Sequence, residues 1–343
     1  MRGVIGFILL LLLAGCSKPP LYTQESYVFG TRVEVSIYGE PAAKAQRVTA
    51  HVLRDFDQMH HTLHAWEPGT LERMNGIFAL APAQAAIAPG MIPIIQDATR
   101  YSIQSHGLFN PAIGDLIRLW GFQSDTFAAK LPDPVAIAKL VKAKPQMRDI
   151  VIDGILFHST NPAVRLDLGG YAKGYALDLA ASYLRSQGVK NALINIGGNI
   201  IALGQHGDRP WRVGIQHPRK PGPIATLELR DGEAIGTSGD YQRFFMLNGQ
   251  RYCHIIDPRT GWPAQGVEAV TVLTPPSAHA GTLSDVASKP IFIAGPSGWR
   301  VAAQQMGVAD VMFIDAHGRV TQTPGMLQRL HFEAATQVKA ASS

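Results

Sequence analysis

The chain has 343 residues, 46% of them apolar and 17% charged, which allows a sizeable core and excludes wholesale disorder. Its 34 glycines and 23 prolines argue for many turns rather than a helical bundle. The net charge of +5 comes without any long Lys/Arg block, so it reads first as a solvated surface; it fits an anionic small ligand as well as a polymer, and nucleic acid is the weak reading.

At the amino terminus Arg2 precedes an apolar run from Val4 to Leu13, followed by Ala14-Gly15-Cys16. Such a run covers about half of a hydrocarbon core, so it reads as a signal-peptide core and not as a membrane span. The Leu-Ala-Gly-Cys ending resembles a bacterial lipoprotein box. It implies a signal peptide over residues 1–15, lipidation at Cys16, and a domain held at the periplasmic side of a bacterial membrane. Residues 16–26 then read as a tether. Cys253 is the only other cysteine, so no internal disulfide is expected.

From Thr31 to Tyr38 apolar and polar residues alternate with the period of a half-buried strand. Ala42 to His64 has helical spacing, with Val48, Val52, Leu53, Phe56 and Met59 on one face. Further helices are expected over Pro93–His106, Pro134–Val141 and Leu177–Gln187, the first closed by Gly107 and the last by Gly188. Short strands are expected at Ala192–Ile196, Trp211–Ile215, Thr226–Leu229, Phe244–Leu247, Ala269–Leu273 and Val311–Ile314. Their succession suggests antiparallel sheet and an α+β class. A main domain over residues 27–332 and a fraying tail over residues 333–343 complete the expected organisation.

Glycine-rich segments carry the candidate chemistry. In Asp167-Leu168-Gly169-Gly170-Tyr171-Ala172-Lys173-Gly174 an acidic residue enters a double glycine just before a helix. Exposed N–H groups at such a helix start suit phosphate oxygens, and Lys173 can add a charge. Taken alone, a tight turn capping the helix explains the segment as well. It is neither a P-loop nor a dinucleotide-binding fingerprint, because the glycine spacing differs. Asn195 to Asn199 and Thr237-Ser238-Gly239 follow, and then His254-Ile255-Ile256-Asp257-Pro258-Arg259-Thr260-Gly261. There a firm turn fixes where the histidine-bearing strand end points.

Together these segments resemble the FAD:protein FMN transferase (ApbE) family from about Tyr27 to Gly295. Phe29-Gly30-Thr31, Asn110-Pro111 and Leu119-Trp120-Gly121-Phe122 add to the match. The resemblance implies an ApbE-like α+β fold with antiparallel sheets flanked by helices in two closely packed lobes. It also implies FAD as the donor substrate, Mg²⁺ as helper, and a Thr or Ser hydroxyl of an acceptor redox protein as recipient. Phe29 and Trp66 would pack on the flavin; Asn110, Pro111, Ala112, Asp167 and Ile255 would line the FAD site. Lys173 would lie near the phosphates. Gly170, through its carbonyl, Asp285 and Ser288 would hold the metal. His254 would be the general base, with an ordinary pKa of about 6.5.

One position departs from the pattern. The family segment usually reads Ala-Asp-Ala-x-x-Thr, whereas this chain has Ser284-Asp285-Val286-Ala287-Ser288-Lys289. A charged ammonium has three donors and no lone pair, so Lys289 cannot ligate magnesium. Either Lys289 reaches into the metal position and pairs with Asp285, or it turns aside and Ser288 or water completes the coordination. Two further outcomes stay open with it: an FAD-binding lipoprotein without transferase activity, or an FAD pyrophosphatase.

Overall fold

The computed structural model describes residues 19–332 apart from 125 and 127. Cys16, the proposed signal segment and the 333–343 tail lie outside the described residues. The centre of the molecule is an eight-stranded antiparallel sheet whose strands lie side by side in chain order. They are Leu21–Val28, Thr31–Tyr38, Ala192–Ile196, Asn199–Leu203, Ala234–Gly239, Val267–Thr274, Asp310–Asp315 and Val320–Gln322.

Strand periodicity explains how both faces are covered. Along Asn199–Leu203, Ile201 and Leu203 join the core beneath helices Ala42–Leu63 and Ala172–Ser186, with Val33, Val35 and Ile37. Ile200 and Ala202 point the other way, into a core shared with a three-stranded sheet built on Trp211–Gln216 and Pro223–Leu229. A strand buried on both faces reads as a continuous apolar run. A further core joins helices Thr70–Phe78 and Ile92–Gln104 and the small sheet containing Leu156–Ser159 to the long segment Ala280–Gln305.

The expected helices and strands are present with small shifts at their ends. Two expectations are corrected. Residues 21–26 are not tether: Leu21–Val28 is an edge strand paired with Thr31–Tyr38, Leu21 opposite Tyr38 and Val28 opposite Thr31. Its polar, mostly solvent-facing residues hid it. The helix expected from Leu177 begins at Ala172, so Lys173 and Gly174 lie in its first turn. The helical segment Ala280–Gln305, two helices joined across a kink, was not expected at all. It holds Pro290 and Pro296 and is kinked at Gly295 (φ 68°), and those breakers disguised it.

Candidate active site

Two helices meet with almost no side chain between them. A Cβ on Gly174 would lie 2.5 Å from the Gly281 carbonyl and 2.7 Å from Asp285 Cβ. This close approach explains the glycine at a helical position where it costs about 1 kcal/mol relative to alanine. The contact is closed by polar bonds. Both oxygens of Asp178 accept from the start of the second helix, from Gly281 N at 2.7 Å and from Thr282 N at 2.8 Å. Burial raises the Asp178 pKa to about 6 against those donors. Farther along, Asp285 Oδ2 accepts from Gly174 N at 2.9 Å, which sets its carboxylate at the glycine-entered helix start.

Lys289, one turn beyond Asp285, folds back onto it. Its Nζ donates to the Asp285 carbonyl oxygen at 2.7 Å and to Asp285 Oδ1. Gly170 makes room for the lysine stem: a Cβ there would sit 3.2 Å from Lys289 Cε. Ser288 turns away from the carboxylate. Its hydroxyl donates to the Asp285 carbonyl at 2.7 Å and pairs with Ser238 Oγ at 2.6 Å. Burial lowers the Lys289 pKa and Lys173 adds to that, while Asp285 opposes it.

Lys173 reaches from the other helix, its Nζ 3.5 Å from the Gly169 carbonyl. His254 faces both lysines. Burial, then the charges of Arg243, Lys173 and Lys289, pull its pKa down to about 3 instead of the expected 6.5. Its Nδ1 lies 3.2 Å from the Arg243 carbonyl oxygen, which can only accept. Nδ1 therefore carries the proton, and Nε2 keeps the lone pair. Arg243, which sequence reading did not single out, is thus part of the site. Its signal is its position opposite His254 at the end of the hairpin pairing Phe244–Leu247 with Gln250–Cys253, where His254 N donates to the Arg243 carbonyl, invisible before pairing is known.

The aromatic side of the site is built differently. Phe29 occupies the turn joining the first two strands, at φ 56°, with its ring 6.1 Å from that of Phe56. Trp66 Nε1 donates to Asp167 Oδ2 at 3.0 Å, and Gly169 N donates to Asp167 Oδ1 at 2.8 Å. Asp167 therefore braces both the indole and the double-glycine turn. Arg165 lies over the Trp66 ring at 4.8 Å. Behind them, the Pro111 carbonyl accepts from Asp167 N at 2.8 Å. Asn110 spends its side chain locally, donating to the Pro145 carbonyl and accepting from Ala112 N. Pro111, Ala112 and Ile255 are buried and shape the wall from behind. Phe29 and Trp66 pack against the same core that contains Ala112 and Ile255.

The sequence matches the ApbE family over residues 29–313. It is 43% identical over 312 residues to a FAD:protein FMN transferase of Rhodobacter capsulatus, covering 91% of this chain but only 58% of that protein. A FAD:protein FMN transferase of Treponema pallidum is 31% identical, with 90% and 88% of the two chains covered. The fold superposes on the crystal structure of the ApbE protein of Thermotoga maritima with a TM-score of 0.82 at 26% identity, over 90% of this chain and 99% of that one. The apo flavinyl transferase ApbE of Pseudomonas stutzeri gives 0.79 at 26% identity, over 92% and 98%. The chain belongs to the ApbE family.

Proposed function

We propose that this protein transfers FMN from FAD to a threonine or serine hydroxyl of an acceptor redox protein, releasing AMP. The observation that carries this reading is the meeting of Lys173, Lys289 and Asp285 with His254, whose pKa both lysine charges depress. A dianionic pyrophosphate fits such a cluster. Phe29 and Trp66 offer ring faces to the flavin, Asp167 holds Trp66 in place, and Pro111, Ala112 and Ile255 back that wall.

In the reaction the acceptor oxygen bonds to the FMN-side phosphorus while the bond from that phosphorus to the bridging oxygen breaks. The bridging oxygen leaves with AMP, and the acceptor proton passes to His254 Nε2. Lys173 and Lys289 meet the charge on the transferring and leaving oxygens, so positioning and electrostatics supply most of the rate. A base with a pKa of about 3 is weak in the free protein. The bound pyrophosphate offsets the two lysine charges and raises it toward the working range.

The residues expected to hold Mg²⁺ do not fit that ion. Asp285 Oδ1 and its carbonyl oxygen both accept from Lys289, Oδ2 accepts from Gly174, and the Ser288 hydroxyl is engaged with Asp285 and Ser238. Magnesium requires a near-octahedral set of oxygen donors, and here an ammonium stands among them. Of the two accounts of Lys289, this geometry favours the first.

The test is incubation of the purified protein with FAD, an acceptor carrying a Thr or Ser site, and excess chelator. Covalent FMN on the acceptor, with AMP released, is expected. Free FMN plus AMP would make it a pyrophosphatase, and unchanged bound FAD a storage protein; either overturns the reading. Lys289→Thr should lose the chelator-resistant reaction and regain transfer with Mg²⁺. The periplasmic, lipid-anchored placement rests on residues 2–16. It predicts incorporation of labelled fatty acid that Cys16→Ala abolishes.

A further inference from the structure

The last turn of helix Ala42–Leu63 carries a second group of chemistry-bearing side chains that the proposed transfer leaves unused. His60 and His64 stand four residues apart, which places them on one face of a helix and its first residue beyond. Glu67 follows three residues later. Each of the three offers a ligand atom, and these atoms all lie within 4.8 Å of one another. The imidazole rings meet edge to face with centroids 5.0 Å apart, and His64 Nε2 lies 3.8 Å from Glu67 Oε1.

We propose that His60, His64 and Glu67 bind one divalent transition-metal ion of the zinc class, at a site distinct from the proposed phosphoryl-transfer chemistry. Two imidazoles and one carboxylate are a donor set for Zn²⁺, Co²⁺ or Ni²⁺ rather than Mg²⁺, and they leave a coordination position for water. Bonds of about 2.1 Å to a common ion would draw the three atoms closer than they now lie. The exposed Glu67 side chain gives the ion an entry path. The location adds to the attraction, because the carbonyls ending a helix carry partial negative charge. His60 is held by the edge of Phe29, ring centroids 5.7 Å apart. A neutral imidazole carries one ring-nitrogen lone pair that can serve as the ligand.

Loading has a structural consequence at Trp66. The Trp66 backbone N–H donates to His64 Nδ1 at 3.3 Å. If Nδ1 ligates the ion, its lone pair is spent; if Nε2 ligates, Nδ1 must carry the proton. Either way that bond ends, and the loop carrying the indole is re-seated. The metal site itself does not depend on the flavin reading. Only an effect on FAD binding through Trp66 would.

The test uses the full chain without a histidine tag, stripped with chelator and titrated with Co²⁺ by visible absorption and with Zn²⁺ by calorimetry. One equivalent of each ion is expected, undisplaced by millimolar Mg²⁺. His60→Asn and His64→Asn should each weaken binding about tenfold or more. His61→Asn should leave it unchanged, since His61 is exposed and its Nδ1 is engaged with the Asp57 carbonyl. Glu67→Gln changes an exposed side chain, leaves the fold intact, and should weaken binding several-fold. Zn²⁺ should also shift tryptophan emission in the parent protein but not in Trp66→Phe. Absence of stoichiometric binding, or equal losses in the His61 and His60 variants, would overturn the proposal. A silent tryptophan signal in a protein that binds the ion would overturn the link to Trp66.

Discussion

The two sides of the site are held by different physics. At the helix crossing, backbone touches backbone: Gly174 lies against Gly281, and carboxylates of Asp178 and Asp285 bond directly to main-chain N–H groups. On the aromatic side, half-buried rings of Phe29 and Trp66 are positioned by other side chains and a single turn. A crossing of this kind has no slack, which suits charges that must be placed to a fraction of an ångström for phosphoryl transfer. Rings on a partly open wall can move aside for a large planar ligand and close on it. The contrast teaches that rigidity is concentrated where the reacting atoms are expected and adaptability where the substrate's bulk is expected.

The largest effect should come from breaking the rigid side. Gly174→Ala forces a methyl against the Gly281 carbonyl and Asp285 Cβ, which should cost about 3 kcal/mol of stability, read by chemical denaturation. A variant as stable as the parent would show that the crossing yields. Next, His254→Gln keeps a polar group of similar size but no base; transfer should fall about 10²- to 10⁴-fold with FAD binding little changed. The aromatic side should be more forgiving. Trp66→Phe keeps an aromatic ring but loses the indole N–H bond to Asp167, with an expected cost of about 1 kcal/mol in stability and a modest loss of FAD affinity. A loss as large as that of Gly174→Ala would erase the distinction between the two regions.

A pH effect of a different kind arises at their junction. The folded-state pKa of His254 lies at about 3, below its unfolded value of about 6.5, so the unfolded chain takes up the proton first. That contribution to stability is complete above pH 6.5 and is lost as pH falls toward 3. His254→Gln should flatten this part of the stability profile measured by thermal melts. The least demanding check is Cys253, which is buried with its thiol pKa pushed up to about 12. It should resist alkylation in the native protein and react on unfolding.

Much of the fold was readable before folding was considered. Alternation at Thr31–Tyr38 marked a half-buried strand, and the apolar face of Ala42–Leu63 marked its helix. The edge strand Leu21–Val28 was not readable, because a strand with one solvated edge and polar faces has no hydrophobic period. Nor were the two helical segments within Ala280–Gln305, since Pro290 sits inside the first and the chain does break between them at Gly295, with Pro296 directly after the break. In the site, the glycine-rich segments announced themselves, whereas Arg243 and the His60–His64–Glu67 group did not. Arg243 depends on which elements become neighbours, whereas the four-residue spacing of His60 and His64 was present in the expected helix and only the approach of Glu67 required the folded chain.

The sequence carried the family resemblance, and its glycine-rich turns and apolar periodicity, which are local properties of the chain, carried the α+β class and the residue types available to the chemistry. It also raised the question at Lys289 without answering it. Only the folded molecule decided that Lys289 turns back onto Asp285 and that Asp167 braces Trp66. It also moved the His254 pKa from an ordinary value to about 3. Proton affinity and side-chain direction are set by desolvation and by charges from segments distant along the chain, and those become neighbours only when the helices and sheet pack together.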